Sequence, residues 1–192
     1  MCVKKYSDFK SERSSSGREQ LPAGGYVCQI LSAKVESGEW GDTLVIAHDV
    51  CEGEYAGIFK RDYDNNTMDN KKWRGTFRLK LPKDDGTEQD AWKKKKFNTF
   101  IWAIEQSNPG FTWDWDEKKL KGKGVGLIYR NEEWAMNGRS GWTTKAAASD
   151  SVENIRAGKF RQLKDKPLPE SRKAAVAPTF MDLDDNDESL PF

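Results

Sequence analysis

Gly57-Ile58-Phe59-Lys60-Arg61-Asp62-Tyr63 decides how many strands precede the first long helical pattern of the chain, and with that the fold. Gly53 and Gly57 bracket a turn, after which Ile58 to Tyr63 reads as a third strand. As a strand it directs Phe59, Arg61 and Tyr63 to one side at intervals of about 6.6 Å, an aromatic, a cation and an aromatic in a row. Lys60 adds a second cation to the same stretch.

Upstream, Leu21-Pro22-Ala23-Gly24-Gly25 is a turn cluster that opens a β-rich run, Tyr26, Cys28 and Ile30 with Val27 and Leu31, ending near Glu36. Ser37 to Gly41 reads as a hairpin turn, and Leu44, Ile46, His48 and Val50 then alternate with Thr43, Val45, Ala47 and Asp49 as a second strand. Downstream, Asp64 to Asn70 is loop-like. Lys71 to Leu81 supports two readings: Trp73, Phe77, Leu79 and Leu81 share a face at period two, whereas Trp73, Phe77 and Leu81 also sit at helical spacing. Asp84-Asp85-Gly86 is a turn, and Glu88 to Gln106 is helical with Phe97, Phe100, Ile101 and Ile104 as its buried stripe, stopped by Asn108-Pro109-Gly110.

Two further strands, Gly124 to Trp134 and Gly141 to Ala148, are joined through Asn137-Gly138, the dipeptide of a tight hairpin. Asp150-Ser151-Val152-Glu153 has the spacing of a capping box for a short helix ending at Gly158. Prolines and small or charged residues after Asp165 predict disorder, as does the serine-rich stretch before Leu21. The expected organisation is a flexible segment 1–20, a folded domain 21–164 and a disordered acidic tail 165–192. Three strands, a helix and two strands is the order of the OB fold, a mainly β, five-stranded Greek-key barrel with its helix between strands 3 and 4. Such barrels recurrently bind single-stranded nucleic acid or oligosaccharide.

The chain has 192 residues, 33% charged and 36% hydrophobic, yet eight Trp, nine Phe and five Tyr call for a use. No apolar run approaches the roughly 18 residues that span a bilayer, and Met1 to Lys10 has no secretory h-region, so a cytoplasmic location without membrane contact is expected. Cys2, Cys28 and Cys51 lie far apart with no Cys-x-x-Cys pair, which gives neither a disulfide framework nor a thiolate zinc site. His48 is the only histidine, so most zinc constellations and Ser-His-Asp chemistry are excluded. Residues 1–180 hold 32 basic against 26 acidic side chains, a net of +6, while all five charges beyond residue 180 are negative. A basic body with a detached acidic end suits a chain that binds a polyanion.

Single strands are held by cations along the phosphates and by exposed rings on which bases stack, at roughly 1 to 3 kcal/mol per base. Beyond Phe59, Lys60, Arg61 and Tyr63, the densest interleaving is Lys71-Lys72-Trp73-Arg74 followed by Arg78 and Lys80; as a strand it shows Lys72, Arg74, Arg78 and Lys80 on one face. Trp134 and Trp142 flank the last hairpin with Arg139 near its tip, and Trp40 holds the equivalent place in the first hairpin, where the loops of this fold close over a bound strand. Lys93 to Lys96 reads as a solvated helix face. Asp114, Asp116 and Glu117 form the tight carboxylate cluster of the folded part, on which a metal-dependent nuclease or recombination enzyme would rest; a helix start or salt-bridged turn is the simpler use.

Asp182 to Glu188 carries five negative charges, among them Asp184, Asp185, Asp187 and Glu188, before the chain ends in Leu190-Pro191-Phe192. Phe192 suits a hydrophobic pocket with its carboxylate on a cation, while the acids steer the tail to a basic partner. This end resembles the C-terminal tip of bacterial single-stranded DNA-binding proteins, with Leu190 where isoleucine is usual and Ser189 between acids and tip. The resemblance implies docking on replication and recombination or repair proteins. The folded part resembles an OB-fold family of bacteriophages and integrated mobile elements, through Leu21-Pro22-Ala23-Gly24-Gly25-Tyr26, Tyr55-Ala56-Gly57, Asn108-Pro109-Gly110 and Trp113-Asp114-Trp115-Asp116. That likeness implies sequence-tolerant binding of single-stranded DNA without catalysis or cofactor. A protein-binding adaptor is the other non-enzymatic alternative, and homo-oligomerisation stays open.

Overall fold

A computed structural model of the chain describes residues 19–39 and 41–170, so Trp40, the first 18 residues and the tail with Asp184 to Phe192 lie outside the described residues. In chain order the elements are β1 (Gly24–Glu36), β2 (Thr43–Val50), α1 (Ile58–Asn65), β3 (Thr76–Lys80), α2 (Glu88–Ser107), a 3-10 turn (Glu117–Leu120), β4 (Gly124–Met136), β5 (Arg139–Asp150) and α3 (Val152–Arg156). The strands form one antiparallel sheet in the spatial order β3-β2-β1-β4-β5. β1 serves both halves: residues 24–29 pair with β4 and residues 28–36 with β2, with a register shift at Leu31 that bends the strand.

Ile58 to Tyr63, expected as the third strand, is instead the body of α1. The cause lies outside the segment. The carboxylate of Asp49 in β2 accepts hydrogen bonds from the backbone N–H groups of Phe59 (3.1 Å) and Lys60 (3.0 Å), as well as from Val50 (2.9 Å). Amide donors of the first helical turn have no partner within the helix, and the N-cap residue, Gly57, has no side chain to offer them. An acid delivered from a neighbouring strand satisfies them and complements the positive end of the helix dipole. Phe59 and Tyr63 stay on one face at i, i+4 spacing, but Arg61 turns away from them.

The third strand comes from the stretch with two readings, and the period-two reading prevails there: Phe77 and Leu79 are buried while Arg78 and Lys80 are exposed. Lys72 and Arg74, expected on the same strand face, precede the strand. The order of three strands, long helix and two strands therefore stands, with α1 inserted between β2 and β3.

The core lies between the sheet and α2, where Ile30, Leu44, Ile46, Phe100, Ile104, Leu120 and Leu127 are fully buried, each contributing about 1.5–3 kcal/mol. Thr87 caps α2 by accepting from the Asp90 N–H, and Asn108 clips its far end to β4, donating to the carbonyls of Ile104 and Gly124 and accepting from the Gly124 N–H. A smaller cluster, Val27, Ile128, Val152 and Ile155, is completed by Phe160 and Leu163. Past it the chain lies along β4: the Lys166 N–H donates to the Asn131 carbonyl and the Glu133 N–H to the Lys166 carbonyl, both at 2.9 Å. Asp165 to Leu168, assigned to the tail by composition, thus belongs to the folded body. Asn137 (φ 51°) and Gly138 (φ 70°) make the expected tight hairpin turn between β4 and β5.

The sheet is open. Its edge strands, β3 and β5, bring Cα atoms within 8 Å of each other but share no ladder. Among the described residues, no helix is long and apolar enough to cross a membrane.

Asp49→Ala removes the partner of two α1 amides and leaves them facing a part-buried site, so the urea unfolding free energy should drop by about 2 kcal/mol. Lys60→Ala, which loses only an exposed ion pair with Asp64, should leave the unfolding midpoint unchanged. Equal midpoints for wild type and Asp49→Ala would show that α1 does not depend on this carboxylate.

Candidate functional site

Where the two sheet edges approach each other they enclose a groove of about 390 Å³. Phe59 and Tyr129 form its floor, Arg74, Thr76 and Arg78 one wall, and Thr143, Thr144 and Lys145 the other. Three cationic residues, three threonines and two aromatic residues line this space, and no carboxylate does.

The floor is built from distant parts of the chain. Phe59, delivered by α1, stacks on Tyr129 of β4 with ring centroids 6.5 Å apart and planes 21° apart, and meets the edge of His48 at 5.7 Å. Tyr129 Oη and His48 Nε2 are hydrogen-bonded at 2.5 Å, both residues being buried. Burial, the main cause, raises the Tyr129 phenol well above its ordinary pKa and lowers that of His48 to about 4. At neutral pH the phenol is therefore the donor and the uncharged imidazole the acceptor. The bond satisfies the buried phenol and Nε2, while the other imidazole nitrogen, Nδ1, is buried without a hydrogen-bond partner among the described residues.

Gly75 permits the close approach of the β3 wall. A Cβ there would sit 2.2 Å from the His48 carbonyl oxygen and 2.5 Å from the Phe59 ring. The Trp73 indole N–H donates to the carbonyls of His48 and Gly75, each at 3.1 Å, and the Trp73 ring lies 5.7 Å from Tyr63, over which Lys71 places its ammonium at 4.6 Å.

Each groove cation has an acid beyond the rim: Arg74 with Asp62 (3.6 Å), Arg78 with Glu36 (3.0 Å) and Lys145 with Glu132 (3.7 Å). Arg78–Glu36 is a solvent-accessible pair of the kind that salt screens and that holds its members only weakly, whereas Asp62 and Glu132 are mostly buried acids with exposed cations. Partial burial raises the Glu132 pKa, but hydrogen bonding to Arg130 and the nearby Lys166 and Lys145 outweigh it and hold the carboxyl below its ordinary range.

Of the residues expected to form a site, the groove collects Phe59, Arg74 and Arg78, and Tyr63, Lys71 and Trp73 cluster beside its floor. Arg61 does not belong to it: its guanidinium binds the Ala56 carbonyl and Glu19. Lys60 pairs with Asp64 at 2.6 Å. Lys72 and Lys80 are exposed, the latter on the same face of β3 as Arg78. The two hairpin tryptophans do not act as a pair. Trp134 is opposite Gly141 and lies over it, whereas Trp142 is opposite Glu133, so the rings occupy opposite faces of the hairpin. Trp142 shares the face of Tyr129, next to the groove wall; Arg139 is exposed beside the turn. Sequence reasoning missed Tyr129 and Thr143 to Lys145, although Trp142-Thr143-Thr144-Lys145 is itself an aromatic, two hydroxyls and a cation in succession.

The carboxylate cluster has local employment: Asp114 pairs with Lys119, and Asp116 caps the 3-10 turn by accepting from the Lys118 N–H at 3.0 Å. Among the described residues no group of three or more His, Cys, Asp or Glu side chains is placed to hold a metal ion. A scan against protein-family models finds no match, and no curated protein matches the sequence.

Because His48 has a folded pKa of about 4 against 6.5 when unfolded, the unfolded chain takes up the proton first as pH falls. Its contribution to stability is complete above pH 6.5 and is lost on the way down to pH 4, reaching about 3 kcal/mol there. Urea titrations between pH 7 and pH 4 should show a shallower loss for His48→Gln than for wild type. Parallel curves would mean that the imidazole is accessible to protons in the folded state.

Proposed function

We propose that the open sheet is an OB-type barrel parted at the β3–β5 seam and that the chain is a sequence-tolerant, non-enzymatic single-stranded DNA-binding protein that lays the strand in this seam. The observation that carries the reading is the lining of the groove. Arg74, Arg78 and Lys145 line it on its two sides, Phe59 and Tyr129 form its floor, and no acid is part of the lining.

Phosphates compete with the partly buried carboxylates for Arg74, Arg78 and Lys145, because a polyanion releases its condensed counterions on binding. Threonine hydroxyls add sequence-independent hydrogen bonds to phosphate or sugar. Bases pack on the half-buried Phe59 edge and on Trp142, which reaches 48% exposure beside the wall. Lys71, Lys72, Lys80 and Arg139 widen the positive approach, and Trp73 adds a ring beside them. Nothing in this set reads a base edge, which fits sequence tolerance.

The tail completes the role. Asp184, Asp185, Asp187 and Glu188 steer Leu190-Pro191-Phe192 to a pocket on a replication or recombination protein, so that DNA-bound protein recruits it. The protein would act in the cytoplasm of a bacterial host, on DNA of a phage or integrated element.

Oligo-dT should quench tryptophan fluorescence, with an affinity that falls as salt rises. Arg74→Ala/Arg78→Ala should weaken binding at least tenfold and lower the log–log salt slope by about 1 to 2. An unchanged slope would remove the groove from consideration. Deleting Asp182 to Phe192 should leave DNA affinity equal or tighter, since a competing anion is gone, while abolishing pulldown of partner proteins. Markedly weaker DNA binding after deletion would contradict that division of labour.

A further inference from the structure

The seam does not end at the groove. Along β5, Ala146 lines the groove and the next residue, Ala147, lines a second recess of about 430 Å³ between β3, β5 and α2. Phe77, Leu79 and Ala148 make it apolar inside, and Trp92, Lys95, Lys96 and Arg161 stand at its rim. Here too no carboxylate is part of the lining.

Two properties set this recess apart from an ordinary solvated helix face. Among the described residues neither Lys95 nor Arg161 pairs with an acid, in contrast to the three cations of the groove. Lys93 to Lys96 is thus not uniform: Lys94 is spent on Asp84 and Asp90, whereas Lys95 and Lys96 face the recess. Trp92, 58% exposed, is held in place by the Lys96 ammonium 4.0 Å from its ring centroid. An exposed indole fixed by a cation over an apolar recess is a ready stacking platform. Burial, then the nearby Arg130 and Lys166, lower the Lys96 pKa, in keeping with positive charge in excess of local acids.

We infer that this recess is a second nucleotide station, where a strand leaving the groove stacks a base on Trp92 and places its phosphates on Lys95, Lys96 and Arg161. The inference rests on the proposed binding of single strands in the groove. From Thr144 to Ala148 β5 rises about 13 Å, the reach of about two to four nucleotides, so a strand of two or three nucleotides is confined to the groove and a longer one reaches the recess.

The test is a binding titration of the full chain with oligo-dT of about 3 and about 20 nucleotides, lengths below and above the site sizes of single OB folds. At 0.2 M salt, Lys95→Ala/Lys96→Ala/Arg161→Ala should bind the longer oligonucleotide about tenfold more weakly, with its salt slope lower by about 2, and the shorter within twofold of wild type. Trp92→Leu should weaken only the longer complex, and Trp92→Phe should restore most of it. Arg74→Ala/Arg78→Ala should weaken both lengths. If the α2 variants bind both lengths like wild type, or lose both equally, the second station is overturned while the groove stands. If wild type binds neither oligonucleotide, the groove reading falls and this one with it.

Discussion

Three backbone amides on one carboxylate hold the arrangement together. Asp49 lies at the end of β2, where a strand would ordinarily give way to solvent, and its side chain instead reaches the first turn of α1. Without it Ile58 to Asn65 has only weak reason to be helical: Lys60, Arg61, Asp62 and Asp64 make no apolar stripe, and an isolated helix of this length is not stable in water. With it, α1 is pinned to the sheet and Phe59 is driven onto Tyr129. β3 can then begin only at Thr76, after the chain has returned past His48. The seam between β3 and β5 is the geometric result.

The floor of the seam is a compromise between packing and polarity. Tyr129 and His48 bury a hydroxyl and an imidazole; their mutual hydrogen bond offsets the cost for the phenol and Nε2, and the unpartnered Nδ1 leaves a remaining cost of about 1–3 kcal/mol. The consequence is rigidity, because the pair is satisfied only in one relative orientation, and Phe59, Tyr26 and Gly75 pack around that orientation. A floor that does not move presents Phe59 to the groove at little conformational cost to a ligand.

What was legible in the residues was whatever depends on local pattern. α2 follows from its 3.6-residue stripe, the β4–β5 hairpin from Asn137-Gly138, and β2 from strict alternation. What was hidden depends on long-range contacts. Nothing between Gly57 and Asn66 announces that its cap is a side chain from β2, so a run that reads as a strand, Ile58 to Tyr63, folds as a helix. Arg61 left the site with that error, since its neighbours on a strand are not its neighbours on a helix. The two tryptophans flank the last hairpin, Trp134 three residues before Asn137 and Trp142 four after Gly138, and that one-residue offset sets them on opposite faces, because Trp134 pairs with Gly141 and not with Trp142. Lys145 has a local signal in Trp142-Thr143-Thr144-Lys145, but a single cation on β5 becomes part of a lining only through β3 across the seam.

Cations on edge strands have a purely protective use, since charge deters the unpaired N–H and C=O groups of an edge from joining another chain. Arg78, Lys80 and Lys145 suit that use, and β3 is short, five residues against the twelve of β5, so an edge of β5 remains to be guarded. Protection, however, requires charge of either sign pointing at solvent. It does not require that every charged side chain lining both recesses of the seam be positive, that aromatic rings form the floor of one and stand at the rim of the other, or that Lys95 and Arg161, which lie on no edge strand, join the same lining. A polyanion with flat, stackable bases accounts for all three features at once, and edge protection accounts for the first cations alone.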